Sequence, residues 1–452
     1  MTSISRFVEK LSLYKEKIAI IDLEKEITYS DLVENIFNFN SKLKKLNIAS
    51  GEVVFILGDY SFNSISLFLS LALNGNIIVP ITSDNEQEIN ERIDVAQPDW
   101  IFNLNSNSEE KIEHVNKLER HQLLDSLIES KLSGLILFSS GSTGKPKAMV
   151  HDLGNLLSNY IDKKGKEMNF LVFLMFDHIG GLNTLFNCLS MGVIITIPQN
   201  RNPNDIARLI EKYKINILPS SPTFLNLMCI SNVFDIFDLS SIRMITYGTE
   251  AMPESLLLKL KEKLPRVKFL QTFGTSETGI MKTSSMSSSS TFLKFDDPNQ
   301  EFKIVNGELW LRSKTQVLGY INHSNDSFTQ DGWFMTGDLV DESVDGFIKI
   351  VGRSKEIINV GGEKVLPAEV ESVILELHYI QDCIVKSEKN AITGQIVCAD
   401  VVLKKGFDFK SEKINIKKHC MNKLDPFKVP ARIREIDSVN FTNRFKKERN
   451  NN

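Results

Sequence analysis

No apolar run in this 452-residue sequence is long enough to cross a membrane; stretches such as NIIVPI (76–81) and GVIITIP (192–198) have the length of buried strands. Cysteines are few. Cys188, Cys229, Cys383, Cys398 and Cys420 lie far apart, with neither a CxxC pair nor zinc-like spacing. That dispersal excludes a disulfide framework and points to buried thiols in a reducing compartment. An excess of either charge is also missing: 53 Lys and Arg stand against 57 Asp and Glu, so nothing suggests nucleic acid or an anionic membrane surface as partner. The opening MTSISRFVEKLSLYKEK carries charges throughout and lacks the apolar centre of a signal peptide. The expectation is a cytoplasmic protein with no nucleic-acid partner and no membrane span.

What is present is enough chain for two or three domains. From about residue 51, short apolar runs (GEVVFILG, NIIVPI, GLILFSSG, NFLVFLMF, INILPSSP, IRMITYG, VKFLQTFG) alternate with helix-like segments such as SFNSISLFLSLALNG, NPNDIARLIEKYK and PESLLLKLKEKLP. This alternation predicts an α/β fold of largely parallel sheets flanked by helices. After residue 290 the texture turns to hairpins, with Asn306-Gly307 and Asp345-Gly346 as tight-turn pairs. A mixed α+β pattern follows beyond Gly352. The expected division is 1–352 for a large domain, with a β-rich part at about 292–352, and 353–452 for a small, mobile α+β domain. The serine-rich SSMSSSSTF (284–292) reads as a mobile loop.

The stretch LFSSGSTGKPKAMVH, 137–151, follows a strand-like run with Ser139, Ser140, Gly141, Ser142, Thr143 and Gly144, then Lys147. Small hydroxyl and glycine residues let backbone and side-chain donors approach an anion closely, and the lysine adds charge. The spacing does not fit GxxxxGK[ST], so a kinase-type mononucleotide loop is excluded. Taken alone, such a loop is as well read as a solvated turn.

The full string SSGSTGKPK resembles the phosphate loop of the AMP-forming adenylating superfamily: acyl-CoA synthetases, peptide-synthetase adenylation domains and firefly-type luciferases. ITYGTEAMPESLL, QTFGTSETG, GWFMTGDL, GRSKEIINVGGEKVLPAEVE and TNRFKKER resemble further elements of that superfamily, in its order, most closely in the acyl-CoA synthetase branch. The resemblance implies an ATP-dependent ligase that joins a carboxylic acid to AMP with release of pyrophosphate and then passes the acyl group to a thiol, CoA or a pantetheine. ATP and Mg2+ are the implied co-substrate and metal.

By the same resemblance, the 139–143 loop and Lys147 hold the β and γ phosphates, Ser276 meets the α-phosphate and Glu277 holds Mg2+. Gly248, Thr249, Glu250, Phe273 and Gly274 surround the adenine, with Phe273 standing where the family has tyrosine. Asp338 takes the ribose hydroxyls and Arg353 reaches the same sugar. His178 stands at the carboxylate's entrance, and Asp177, Gly181 and Tyr247 are placed at the substrate pocket. Lys446, in a Thr-x-x-Gly-Lys-x-x-Arg pattern with Thr442 and Arg449, bridges carboxylate and α-phosphate, although Phe445 replaces the glycine and Lys447 offers a second register. Lys355 is the hinge, and Gly361 and Gly362 border the thiol channel. Two alternatives stay open: an amino acid or acyl group loaded onto a carrier-protein pantetheine, with Asp177 pairing a substrate ammonium, and a non-catalytic nucleotide-binding regulator.

Overall fold

The computed structural model describes residues 2–105, 111–115, 120–139, 146–442 and 444–449. Two seven-stranded sheets, one six-stranded sheet and one five-stranded sheet carry most of its strands among these residues.

In one seven-stranded sheet, Val53–Leu57, Ile77–Ile81, Trp100–Asn103 and Gly134–Ser139 run parallel. Every residue of Val53–Leu57 is buried, which is why this stretch reads as a continuous apolar run and not as an alternation. The helix Phe62–Asn74 begins at a capping box between Ser61 and Ser64 and stops at Gly75, whose φ of +84° only glycine adopts cheaply. The second seven-stranded sheet holds Lys268–Gln271, Met244–Tyr247, Ile217–Ser220, Asn169–Leu171 and Ile194–Thr196 in parallel. Ile18–Asp22 joins it beside Ile194–Thr196, a pairing that spans more than 170 residues of sequence. Both sheets turn apolar residues into one core: Ile56 and Leu137 from the first, Ile20 and Ile195 from the second, with Phe68 and Phe186 from the intervening helices.

The six-stranded antiparallel sheet runs from Thr283–Ser285 to Ile348–Arg353 and so begins before residue 292. Its hairpin turn Asn306-Gly307 has both residues at positive φ, 52° and 79°, as a tight two-residue turn of that type requires. The serine run departs from the expected mobile loop. Thr283–Ser285 is a strand, the Ser285 hydroxyl accepts from Gln271 N at 3.0 Å, and the Ser288 hydroxyl accepts from Phe269 N at 2.8 Å. Hydroxyls here replace a missing strand neighbour, which composition alone does not reveal.

The chain leaves this sheet through the short turn Ser354–Glu356 and enters the five-stranded sheet at Ile358–Val360. That sheet, with helices Pro367–Ile374 and Phe409–Lys423, encloses a separate core around Val385, Ala399, Val401 and Ile416. The tail at 440–449 returns from this small lobe to the large one.

Candidate active site

Parallel strands present their carboxyl ends along one edge, where α/β proteins place ligands. A cavity of about 1120 Å3 opens there and extends between the lobes. Ser139, Lys147, His178, Gly248, Thr249, Phe273, Gly274, Ser276, Glu277, Arg353, Lys355 and Lys446 all line it. Twelve positions scattered over 300 residues of sequence are thus brought to one cavity. Ser140, Gly141, Ser142 and Thr143 lie outside the described residues, but their flanks do not: Ser139 and Lys147 pair across antiparallel strands and close the loop at its base.

Lys147 stands 5.4 Å over the ring of Tyr320, and the Tyr320 hydroxyl donates to Glu277 Oε1 at 2.9 Å. Burial, then the nearby Lys355, lowers the Lys147 pKa. Burial beside the Glu277 carboxylate pushes Tyr320 far above the usual phenol value, so it remains a donor. Glu277 therefore has a fixed orientation, set by a residue that sequence reasoning missed. Tyr320 lies in VLGYIN, which carries no signal for this role.

Phe273–Thr275 pairs with Gly279–Met281, and a Cβ on Gly274 would sit 2.6 Å from Gly279 O. Glycine is obligatory for that close approach. The Phe273 ring packs edge-on against Phe295 at 5.7 Å. Thr249, also in the lining, is held at φ +73°, a sparsely populated conformation that a non-glycine residue adopts at a cost.

Asp338 and Arg353 face each other across two antiparallel strands, and the guanidinium Nε donates to Asp338 Oδ1 at 2.9 Å. Burial raises the Asp338 pKa against the opposing pull of Arg353. Glu250 is also raised by burial; it accepts from Thr223 Oγ1 at 3.1 Å and from Lys447 N at 3.3 Å.

His178 caps the helix Ile179–Met191, its Nδ1 accepting from Gly180 N at 3.1 Å. Burial, reinforced by Arg444 and Lys446, drives its pKa well below the ordinary value. The ring is neutral, with the proton on Nε2 because Nδ1 is an acceptor.

Three residues expected at the substrate pocket are placed elsewhere. The Asp177 carboxylate is 3.2 Å from Arg444 Nη2 and does not line the cavity. Gly181 does not line it either: a Cβ there would lie 2.0 Å from Met175 O, so the position serves close packing. Tyr247 is buried in the core of the second sheet. Gly361 and Gly362 form the turn between Ile358–Val360 and Glu363–Val365 and do not line the cavity in this lobe orientation.

The tail supplies Lys446. Thr442 N donates to Lys446 O at 2.9 Å and Phe445 N to Thr442 O at 2.8 Å, forming a tight loop whose tip enters the large lobe. Phe445 has φ +52°, so the backbone keeps the conformation a glycine would adopt. Burial lowers the Lys446 pKa, with Arg353 adding to the effect and Glu250 opposing it. Arg444, Phe445 and Lys446 reach the large lobe and its cavity, while Lys447 and Arg449 are tied to the small lobe through Asp382 and Glu371, each at 2.8 Å.

A cavity at strand ends, bordered by Ser139 and Lys147 and closed by a lysine from a second lobe, fits a protein of the adenylate-forming kind. The chain belongs to the AMP-binding enzyme family, which it matches over residues 7–321, and the AMP-binding enzyme C-terminal domain is matched over residues 369–446.

Among relatives, 4-coumarate-CoA ligase 1 of Narcissus pseudonarcissus is 28% identical over 67% of this chain and 61% of its own length. Peroxisomal OPC-8:0-CoA ligase 1 of Arabidopsis thaliana is 27% identical over 94% of this chain and 88% of its own. The chain thus spans less than two thirds of the first relative. Two solved structures share the fold at 20% identity: the anthranilate CoA ligase AuaEII in complex with anthranoyl-AMP, with a TM-score of 0.82 over 98% of this chain and 94% of that one, and ATP-bound MatB from Rhodopseudomonas palustris, with a TM-score of 0.81 over 98% and 96%. No described helix is long and apolar enough to cross a membrane.

Proposed function

We propose that the protein activates a carboxylic acid with ATP and passes the acyl group to a thiol, with CoA as the acceptor. The observation that carries this reading is Lys446, delivered by the small lobe to a cavity that already holds Glu277, Arg353 and the base of the phosphate loop.

A free carboxylate is a poor electrophile, because attack on it would have to expel oxide. In the proposed first step a carboxylate oxygen attacks the α-phosphorus of ATP, the bond to the β-phosphate oxygen breaks, and pyrophosphate leaves. Negative charge gathers on the α-phosphoryl oxygens, where an ammonium aimed from Lys446 stabilises it without reorganisation. Ser276, which also lines the cavity, adds a donor, and the loop from Ser139 to Lys147 is read as holding the outer phosphates. Arg353 lines the cavity, and Asp338, buried behind it and held by it, has the two acceptor oxygens that paired ribose hydroxyls call for. Neutral His178 donates from Nε2 to the acid and carries no charge of its own to the site.

Among the described residues no group of three metal-ligating side chains occurs. A cation at Glu277 would therefore take most of its ligands from phosphate and water, the coordination magnesium favours with nucleotides. Glu277, oriented by Tyr320, is the residue that fits it; once bound, the ion neutralises charge on the phosphates.

In the second step a thiol sulfur attacks the acyl carbonyl, loses its proton, and AMP departs. Rotation of the small lobe about Lys355 would withdraw Lys446 and bring Gly361 and Gly362 to the cavity. The names of the relatives support CoA, and the pairing of Asp177 with Arg444 speaks against an ammonium partner there.

The test is ATP–pyrophosphate exchange over a panel of aliphatic acids, aromatic acids and amino acids, followed by CoA or a pantetheine-bearing carrier protein as acceptor. Exchange with an acid, and AMP formed in step with acyl-CoA, is the expected result. ATP binding without exchange on any acid would leave a nucleotide-binding regulator.

A further inference from the structure

We propose that Arg444 and Phe445 form a two-part latch that locks the small lobe over the nucleotide cavity, with Asp177 and an aromatic pocket of the large lobe as its keepers. This rests on the ligase reading for its purpose and on contacts across the lobes for its existence.

Asp177 is almost fully buried, yet it lies just before the site histidine and makes no contribution to the cavity lining. Its partner comes from 267 residues away: Arg444 Nη2 lies 3.2 Å from Asp177 Oδ2. The same guanidinium approaches Phe138 O, at 3.4 Å, just before the base of the phosphate loop. A buried carboxylate without a cation is strongly disfavoured, so withdrawing Arg444 leaves Asp177 uncompensated except for the neighbouring Arg92.

Phe445 is the second part. Its ring sits 5.1 Å from both Phe173 and Phe224, tilted on one and edge-on to the other, and it packs on the large lobe's second core. Its carbonyl accepts from Ser221 Oγ at 3.0 Å. A glycine at this turn would give the same backbone at no conformational cost and would anchor nothing. A phenylalanine at φ +52° accepts strain, and what it gains is an aromatic plug in the opposite lobe. One residue beyond the plug lies Lys446, whose side chain lines the cavity. The latch thus positions Lys446, and neither latch residue needs to touch the reacting atoms.

The consequence is a lobe equilibrium biased towards the closed form before any ligand binds, and a thiol step that waits on unlatching. Distances between dyes test it without knowledge of the acid. All five native cysteines are buried and stay unlabelled, so Lys25→Cys on the large lobe and Lys418→Cys on the small lobe can carry a donor and an acceptor. In this background, without ligand and with ATP alone, a single short distance should dominate. Asp177→Asn, Arg444→Met and Phe445→Gly should each populate a longer one, shifting the closed-to-open ratio by about 5- to 150-fold, the usual size of a coupling between two sites. Combining Asp177→Asn with Arg444→Met should shift it no further than the larger single change, because both remove one interaction. Arg444→Lys should recover part of the closed population, which a merely structural defect would not allow. Unchanged distances in all variants, or additive effects of Asp177→Asn and Arg444→Met, would overturn the latch. Absence of exchange with every acid would overturn the ligase reading and leave this distance measurement standing.

Discussion

Lys446 and Lys447 are neighbours in sequence and both border the nucleotide cavity, but the Lys447 side chain is tied to the small lobe: its Nζ is 2.8 Å from Asp382 Oδ1 and 2.7 Å from Cys383 O. Burial works against the charge of Lys447, but Asp382 and Glu371 outweigh it and raise its pKa. These two contacts anchor the tail to the small lobe just after the tight loop that carries Lys446.

Lys447→Ala should therefore act on stability. Removing one partner of a buried ion pair costs about 3–5 kcal/mol, and chemical denaturation should show the small lobe unfolding earlier. A variant with unchanged denaturation and lost exchange would reverse the assignment of the two lysines.

Tyr320→Phe should raise the magnesium needed for half-maximal exchange by about 10- to 100-fold, the scale of losing a partner that orients a metal ligand. The Michaelis constant for the acid should stay within about twofold. A magnesium titration at fixed ATP measures the first, and an acid titration at saturating magnesium the second.

Alkaline pH should quench exchange earlier than an ordinary lysine would. Because the Lys446 pKa is lowered, chiefly by burial, its proton is lost as pH rises through a value below the usual ~10.4. The free-enzyme profile of kcat/KM should show this limb. Lys446→Arg, whose guanidinium stays charged, should be slower throughout and lack the limb. His178 is held neutral, so no acid limb should arise from it near pH 6.5.

His178→Asn and His178→Ala separate the capping role from the substrate role. Asparagine can still accept from Gly180 N, while alanine cannot, so alanine should cost about 1 kcal/mol more in stability. Both should weaken exchange alike, since neither supplies the imidazole Nε2. Comparing melting curves with exchange rates decides it.

Much of the frame was legible because local chemistry wrote it. Fully buried parallel strands leave unbroken apolar runs, Asn306-Gly307 is a turn by dihedral preference, and Gly75 ends a helix by its left-handed conformation. The candidate site residues came from the resemblance of six ordered motifs, and twelve of them line one cavity. What stayed hidden is long-range. The pairing of Ile18–Asp22 with Ile194–Thr196, the hydrogen bond from Tyr320 to Glu277 and the ion pair of Asp177 with Arg444 join distant segments, and no periodicity records them. The serine run failed as a loop for the opposite reason: its hydroxyls found backbone donors in a strand that only the fold brings near.

The most direct measurement compares the two half-reactions in Lys446→Ala, using the acid found by exchange and its synthetic adenylate. The account predicts exchange lowered by at least about 10²- to 10³-fold, the loss typical of one preorganised donor, with transfer of the supplied acyl-adenylate to CoA at the unaltered rate. Equal loss in both half-reactions, or exchange that survives the substitution, would contradict it.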